Sequence, residues 1–275
     1  MDQGESLLVD TLMDLPRTRD MLAAMREATP AARQINTLLN THANPDHTYG
    51  NQLVEGAEIV SSSACLEEML EQRAQMSSNR PNIRRDWQQF GEAGAFFNEV
   101  MWTRFSQEPV SLTLPTRTFD DSLSLRVGSK EVRLLRVGPA HTRGDVIAYV
   151  PGDRTLFTGD MLFIGGHPIV WEGPFANWIR ACELMLSWDV ETVVPGHGPV
   201  TGKEGIRAVK EYLEFVQAEA RSPQRIGGRV IDRPVAGAGD VRFLVLALVA
   251  FSGFVGLIGA RADFLQAAGC RVNLL

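Results

Sequence analysis

Six consecutive residues, His42 to His47, carry two imidazoles, one carboxylate and one side-chain amide, on His42, Asn44, Asp46 and His47. Each of these groups can offer a nitrogen or oxygen to a metal ion. The apolar run 35–39 just before them reads as a buried strand. Side chains that leave a strand end into a tight loop converge on one point, and coordination requires that convergence. The remaining candidates lie downstream at His141, Asp160 and His197, so four of the chain's five histidines fall in this set. A lone histidine is more often a hydrogen-bonded core residue than a ligand, and here that reading would have to hold four times.

Four motifs stand in order: His42-x-Asn44-x-Asp46-His47, Gly138-Pro139-Ala140-His141, Phe157-Thr158-Gly159-Asp160 and Pro195-Gly196-His197-Gly198. Together they resemble the metallo-β-lactamase-fold hydrolase superfamily, from about Ser6 to Glu219. The family's first motif is His-x-His-x-Asp-His, and Asn44 stands where a histidine is expected. The resemblance implies that His42, Asn44 and His141 form a first metal position. It puts Asp46, His47 and His197 at a second, with Asp160 bridging the two. An amide oxygen is a poorer ligand for a borderline-soft ion than an imidazole nitrogen. The expectation is therefore one tight ion at the second position or two of unequal affinity. Zinc is the default, and manganese or iron is credible. Alternatively, Asn44 has left the coordination sphere and only hydrogen-bonds the water.

The chemistry implied is hydrolysis. A divalent cation lowers the pKa of bound water to roughly 7, and the hydroxide attacks the acyl carbon of an ester, thioester or lactone. Asp46 is the expected catalytic carboxylate, orienting the water or carrying its proton. Asp10, at a strand end, resembles the family carboxylate that orients a ligand from behind; a turn residue is the other reading. Tyr49 could donate to a substrate oxygen or simply pack. The run Phe163 to Trp171 suits a substrate-facing loop, with His167 and Trp171 as contacts, although a surface histidine also explains His167. Two alternatives to the hydrolase are a mononuclear iron oxygenase of the same fold and a member that keeps the metal but has lost catalysis. No G-x-S-x-G elbow occurs, which argues against covalent catalysis.

Composition narrows the partners. The chain has 275 residues, a formal charge of −6 and 44% apolar residues. An acidic chain without a basic run argues against nucleic acid; a small-molecule acyl substrate is the partner that the resemblance implies. Cys65, Cys182 and Cys270 are odd in number and widely spaced, which suits buried thiols in a reducing compartment. The first residues do not read as a signal peptide, so a cytoplasmic location is expected.

The elements that must position these groups alternate between strand and helix. Strands are expected at 5–12, 35–39, 57–60, 116–119, 122–127, 131–137, 146–150, 154–158 and 192–194. Helices are expected from Asp14-x-Pro16 onward and over 65–76, 175–188 and 203–220. Gly128-Ser129 is a hairpin turn signal. This pattern predicts an α/β protein, an αββα sandwich under the family resemblance. The hairpin that the family places before the Asp10 strand is not found. Residues 79–105, rich in Arg, Gln and aromatics, read as a helical insertion over the site or a peripheral helical pair. The expected division is a hydrolase domain over 1–220 and a divergent tail over 221–275. Within that tail, 243–260 is eighteen residues without a charge between Arg242 and Arg261. It reads as an apolar helix docked on the protein or on a membrane surface, with a true span as the alternative.

Overall fold

The computed structural model describes residues 4–77, 87–99, 103–106, 108–221, 225–226 and 229–230. The segment 243–260 lies outside them. The chain divides into two compact units, Met1–Ala220 and Arg221–Leu275, and the second contributes a short antiparallel pair, Arg225–Ile226 with Arg229–Val230. Among the described residues, no helix is long and apolar enough to cross a membrane.

The first unit holds two sheets. One is parallel throughout, in the order β1 (Leu7–Val9), β2 (Thr37–Leu39), β3 (Glu58–Ser62), β4 (Arg117–Phe119). The other runs β5 (Ser122–Val127), β6 (Lys130–Arg136), β7 (Val146–Val150), β8 (Thr155–Phe157), β9 (Thr192–Val194). It is antiparallel except for the parallel β8–β9 pair. Strand β7 shows why the layers form. Val146, Ala148 and Val150 face the first sheet, packing with Leu39, Val60 and Phe119. Ile147 and Tyr149 alternate onto the other face, as the two-residue period of a strand requires. There α5 (Phe175–Ser187) and α6 (Lys203–Arg221) cover them with Trp178, Cys182, Met185, Ile206 and Leu213. On the far face of the first sheet, α1 (Leu15–Ala28) packs Leu22 against Leu8, Leu38 and Ile59. The result is the expected αββα sandwich.

Local signals account for most element ends. Asp14 caps α1 by accepting from Arg17 N at 2.9 Å, with Pro16 in the first turn. Ser62 caps α3 (Ser63–Met76) by accepting from Cys65 N. Gly128, at φ 60°, and Ser129 join β5 to β6. Several strands are shorter than the sequence suggests. The stretch 5–12 contains only Leu7–Val9 as strand, because Asp10 turns the chain with φ 58°. The stretch 35–39 keeps only Thr37–Leu39, since Asn36 spends its side chain on Ser6 N.

In the insertion, the described residues include α4 (Gly91–Phe97) and a segment tied to the start of α1. Arg17 lies over the Phe105 ring and donates to Arg104 O, while Ser106 N donates to Asp14. These contacts fix one end of the insertion on α1.

Candidate metal centre

The two sheets meet at one edge, where Val146 N of β7 donates to Thr41 O beyond β2 at 2.8 Å. Chemistry-bearing residues arrive there from both sheets. Asp10 follows β1, and His42 follows β2. Asp160 sits in the 3-10 turn after β8, and His197 follows β9. His141 precedes β7, which runs antiparallel to β8, so the start of one strand lies beside the end of the other. Asp46 and His47 lie on a single helical turn, α2 (Pro45–Thr48), rather than in an irregular loop. Pro45 at its first position and extended Asn44 before it explain that turn.

Asp160 is the hub. Its Oδ2 lies 3.2 Å from His141 Nε2, 3.3 Å from His197 Nε2 and 3.6 Å from His42 Nε2, and its Oδ1 lies 3.2 Å from His47 Nε2. Asp46 Oδ2 lies 3.3 Å from His197 Nε2 and 3.6 Å from His47 Nε2. Three groups capable of holding a metal overlap here among the described residues, Asp10–His42–His47, His42–His141–Asp160 and Asp46–His47–His197. The predicted residues His42, Asp46, His47, His141, Asp160 and His197 are all brought together, and Asn44 joins them through Nδ2, 2.9 Å from His141 Nε2. His42, His47, His141 and Asp160 form a floor with side chains 1–5% exposed, whereas Asp46 and His197 are 37% and 44% exposed and mark the opening.

Three of the four histidines are held from behind. Asp10 accepts from Thr41 N and Thr41 Oγ1, both at 2.7 Å, and from His47 Nδ1 at 2.9 Å. The Thr41 hydroxyl gives its one proton to Asp10, so its oxygen accepts from His42 Nδ1 at 3.0 Å. His141 Nδ1 donates to Ile169 O at 2.7 Å. In all three the Nδ1 proton is bound outward and Nε2 faces the centre. Asp10 therefore serves two of the ligands, one directly and one through Thr41. The main chain is braced as well. His47 O accepts from Thr11 N and Asn40 Nδ2, and Asn40 forms a reciprocal amide pair with Asn51. Gly196 is a close approach: its N–H donates to Gly159 O, and a Cβ there would overlap Asp160 Oδ1.

The charges are strongly coupled. Burial pushes His42 well below the usual imidazole range, with His47 acting in the same direction. Burial also lowers His141. His47 goes the other way: burial opposes its charge, but Asp160 and Asp10 raise it well above its ordinary value. His197 is raised to about 9 against burial, by hydrogen bonds to Asp160 and Asp46. Burial works against both carboxylates, yet His47 and His42 hold Asp160 well below its usual range, and the His197 bond keeps Asp46 at about 2.

The residues present fit a cation. His42 Nε2, His47 Nε2 and Asp160 Oδ1 are buried and have no hydrogen-bond partner among the described residues. An unpaired buried polar atom costs roughly 1–3 kcal/mol. Lone pairs and carboxylate charge aimed at one volume are the donor set that a divalent ion satisfies.

The expected substrate contacts are less concentrated. Trp171 is 48% exposed, and its N–H donates to His141 O. His167 is exposed, sits 3.1 Å from the Tyr212 hydroxyl, and joins none of the metal-capable groups. Tyr49 is 6% exposed and belongs to the buried 3-10 turn after α2. Sequence reasoning missed Thr41, Asn40, Asn51 and the Ile169 carbonyl. The first three are polar residues flanking the ligand motif, which is a signal that could have found them. A main-chain acceptor leaves no trace in sequence.

The family described as the metallo-beta-lactamase superfamily matches residues 2–197. The chain is 33% identical over 110 residues to a hydroxyacylglutathione hydrolase of Methylococcus capsulatus, covering 37% of this chain and 43% of that protein. It is 26% identical over 117 residues to an acyl-coenzyme A thioesterase of Bos taurus, covering 40% and 41%. Each match thus spans less than half of the relative. A metallo-beta-lactamase from Pontibacter korlensis superposes with a TM-score of 0.57 at 17% identity, covering 78% of this chain and 84% of that one.

Proposed function

The chain belongs to the metallo-beta-lactamase superfamily, and from that premise we propose that it is a metal-dependent hydrolase of acyl thioesters. Water adds to the acyl carbon, the C–S bond breaks, and the products are a carboxylic acid and a thiol. Esters and lactones present a similar acyl carbon and are the neighbouring classes. The preference for thioesters is supported by the two relatives, whose names specify hydroxyacylglutathione and acyl-coenzyme A. The observation that carries the reading is the inward convergence of His42 Nε2, His47 Nε2 and Asp160 Oδ1 without hydrogen-bond partners among the described residues.

His42, His47, His141, His197, Asp46 and Asp160 are the residues that would hold the cation, with zinc the default and manganese or iron compatible with the oxygen ligands. When bound, such an ion lowers the pKa of a coordinated water to about 7 and polarises the acyl oxygen. Asp46, ionised and partly exposed at the opening, orients the attacking water and accepts its proton. Asp10 and Thr41 keep the Nε2 atoms of His47 and His42 turned inward. The buried floor excludes bulk water, so the acyl group enters between Asp46 and His197. Trp171, anchored to His141 by its main chain, offers an exposed apolar rest for that group. Cys65 and Cys182 are buried, and burial pushes both thiols up, Cys182 to about 12, so neither supplies a thiolate nucleophile.

Elemental analysis of the purified chain, with a hydrolysis screen of acyl thioesters and aryl esters, tests the proposal. Zinc or manganese with thioester cleavage supports it. One observation favours a second reading: His42, His141 and Asp160 form a two-imidazole, one-carboxylate group, a ligand type used by non-haem iron. Iron content with oxygen consumption in place of hydrolysis would establish that reading instead.

A further inference from the structure

We infer that Ile169 and Trp171 form an apolar shelf beside the metal centre that receives the acyl chain, so that the protein selects thioesters by the length and neutrality of the acyl group. The inference rests on the hydrolase reading above and narrows its substrate class to uncharged alkanoyl thioesters.

The shelf is fastened to the centre by its main chain. Ile169 O lies 2.7 Å from His141 Nδ1. Trp171 N and Glu172 N donate to His141 O at 3.0 and 3.2 Å, and Gly173 N donates to Ala140 O at 2.7 Å. Val170 packs against the core under α5 and α6. Its two neighbours do not follow it, for Ile169 is 45% and Trp171 48% exposed. A single exposed apolar residue needs no explanation. These two are held next to His141, one of the residues that would hold the cation, and so next to the place where the acyl carbon reacts. Bracing His141 takes only a carbonyl and an N–H, which any residue supplies. The large apolar side chains add something else, a surface that an alkyl chain can cover.

Charge supplies the second half of the argument. The ligand-bearing loops 40–50, 158–173 and 195–202 contain no lysine or arginine. The loop 137–145 has only Arg143, and Glu68 and Glu71 of α3 take up its guanidinium. Glu172 is exposed beside Trp171, and Asp46 stands at the opening. A carboxylate at the far end of an acyl group therefore meets like charge on these loops and no free cation. An alkyl chain meets the shelf.

The test is kcat/KM of the zinc-loaded full chain on thioesters of N-acetylcysteamine, whose thiol part carries no charge. A methylene taken fully out of water is worth about fourfold, and one face of it about twofold. The hexanoyl thioester should therefore be cleaved at least about tenfold better than the acetyl one. The succinyl thioester should be at least about tenfold worse than the butanoyl one, which has the same number of carbons. In Trp171→Ala, checked for fold by circular dichroism and for zinc by elemental analysis, the hexanoyl advantage should shrink to about threefold or less. No dependence on chain length, succinyl cleaved as well as butanoyl, or the full advantage in Trp171→Ala would each overturn the inference. Should that variant lose its fold or its zinc, Ile169→Ala decides in the same way, with at least a twofold smaller advantage expected and an unchanged one overturning the shelf. Absence of any thioester cleavage would overturn the hydrolase reading instead, and calorimetry would then decide the shelf. Hexanoate should bind about tenfold more tightly than acetate to the zinc-loaded wild type but not to the Trp171 variant, and equal binding of the two acids would overturn the inference.

Discussion

Asp10 occupies a backbone angle that few side chains tolerate, φ 58°, and its three hydrogen bonds to Thr41 and His47 make that conformation worth keeping. Removing the carboxylate frees the rings of both His42 and His47. Asp10→Ala should weaken zinc binding by roughly 10–100-fold, with Asp10→Asn retaining part of it through the same backbone preference; competition with a chromophoric chelator measures both. Equal affinity in wild type and Asp10→Ala would remove Asp10 from the account. Asp145 is a separate case. Burial pushes its carboxyl from 3.8 up to about 8 against hydrogen bonds from Thr142. A group whose pKa is higher in the folded state gives a contribution that is full below the unfolded pKa, near 4, and lost as pH rises toward 8. Denaturant midpoints of wild type and Asp145→Asn should therefore diverge in favour of the variant between pH 5 and pH 8, and a pH-independent gap would contradict the shift. The candidate ligands themselves were legible because three lie within six residues and the rest close recognisable motifs. The contact of Asn44 with His141 was not, since it depends on how loops from two sheets meet.

At the scale of elements, α3 holds both ligand loops. Gln72 Nε2 donates to Ala43 O at 2.9 Å, between His42 and Asn44. Ser62 Oγ donates to Gly144 O, Glu68 accepts from Arg143 N, and Glu71 pairs with the Arg143 side chain. Gln72→Ala leaves a carbonyl of the first loop short of a donor and should cost about 1 kcal/mol, seen as a several-fold loss of zinc affinity. Glu71→Gln, at a side chain 59% exposed, should change it little. Equal effects from the two variants would show that α3 does not brace the loop. The signal for Gln72 was present, because it lies seven residues after Cys65 and three after Met69 on the buried face. Periodicity also exposed β5, β6, β7, α5 and α6. It could not reveal α2, a single turn set by Pro45, or end the three-residue strands correctly. Their limits come from Asp10 and Asn36, whose side chains act on distant parts of the chain.

On the scale of the whole molecule, the centre exists because two sheets present their ends to a common edge, and every candidate ligand lies within the unit Met1–Ala220. A chain ending at Ala220 should keep the full metal complement and affinity of the longer one, as elemental analysis of both would show; loss of metal on truncation would mean that residues after 220 support the site. The order of motifs made the layered fold readable, because each motif marks the end of a strand. The most direct test of the central claim is thioester hydrolysis by the full-length chain followed through chelation and reloading. Cleavage of an acyl-glutathione or acyl-coenzyme A thioester should vanish when the metal is stripped and return on adding zinc. It should be absent at every stage in Asp160→Ala. Hydrolysis that survives both chelation and Asp160→Ala, or no hydrolysis by the zinc-loaded chain, would contradict it.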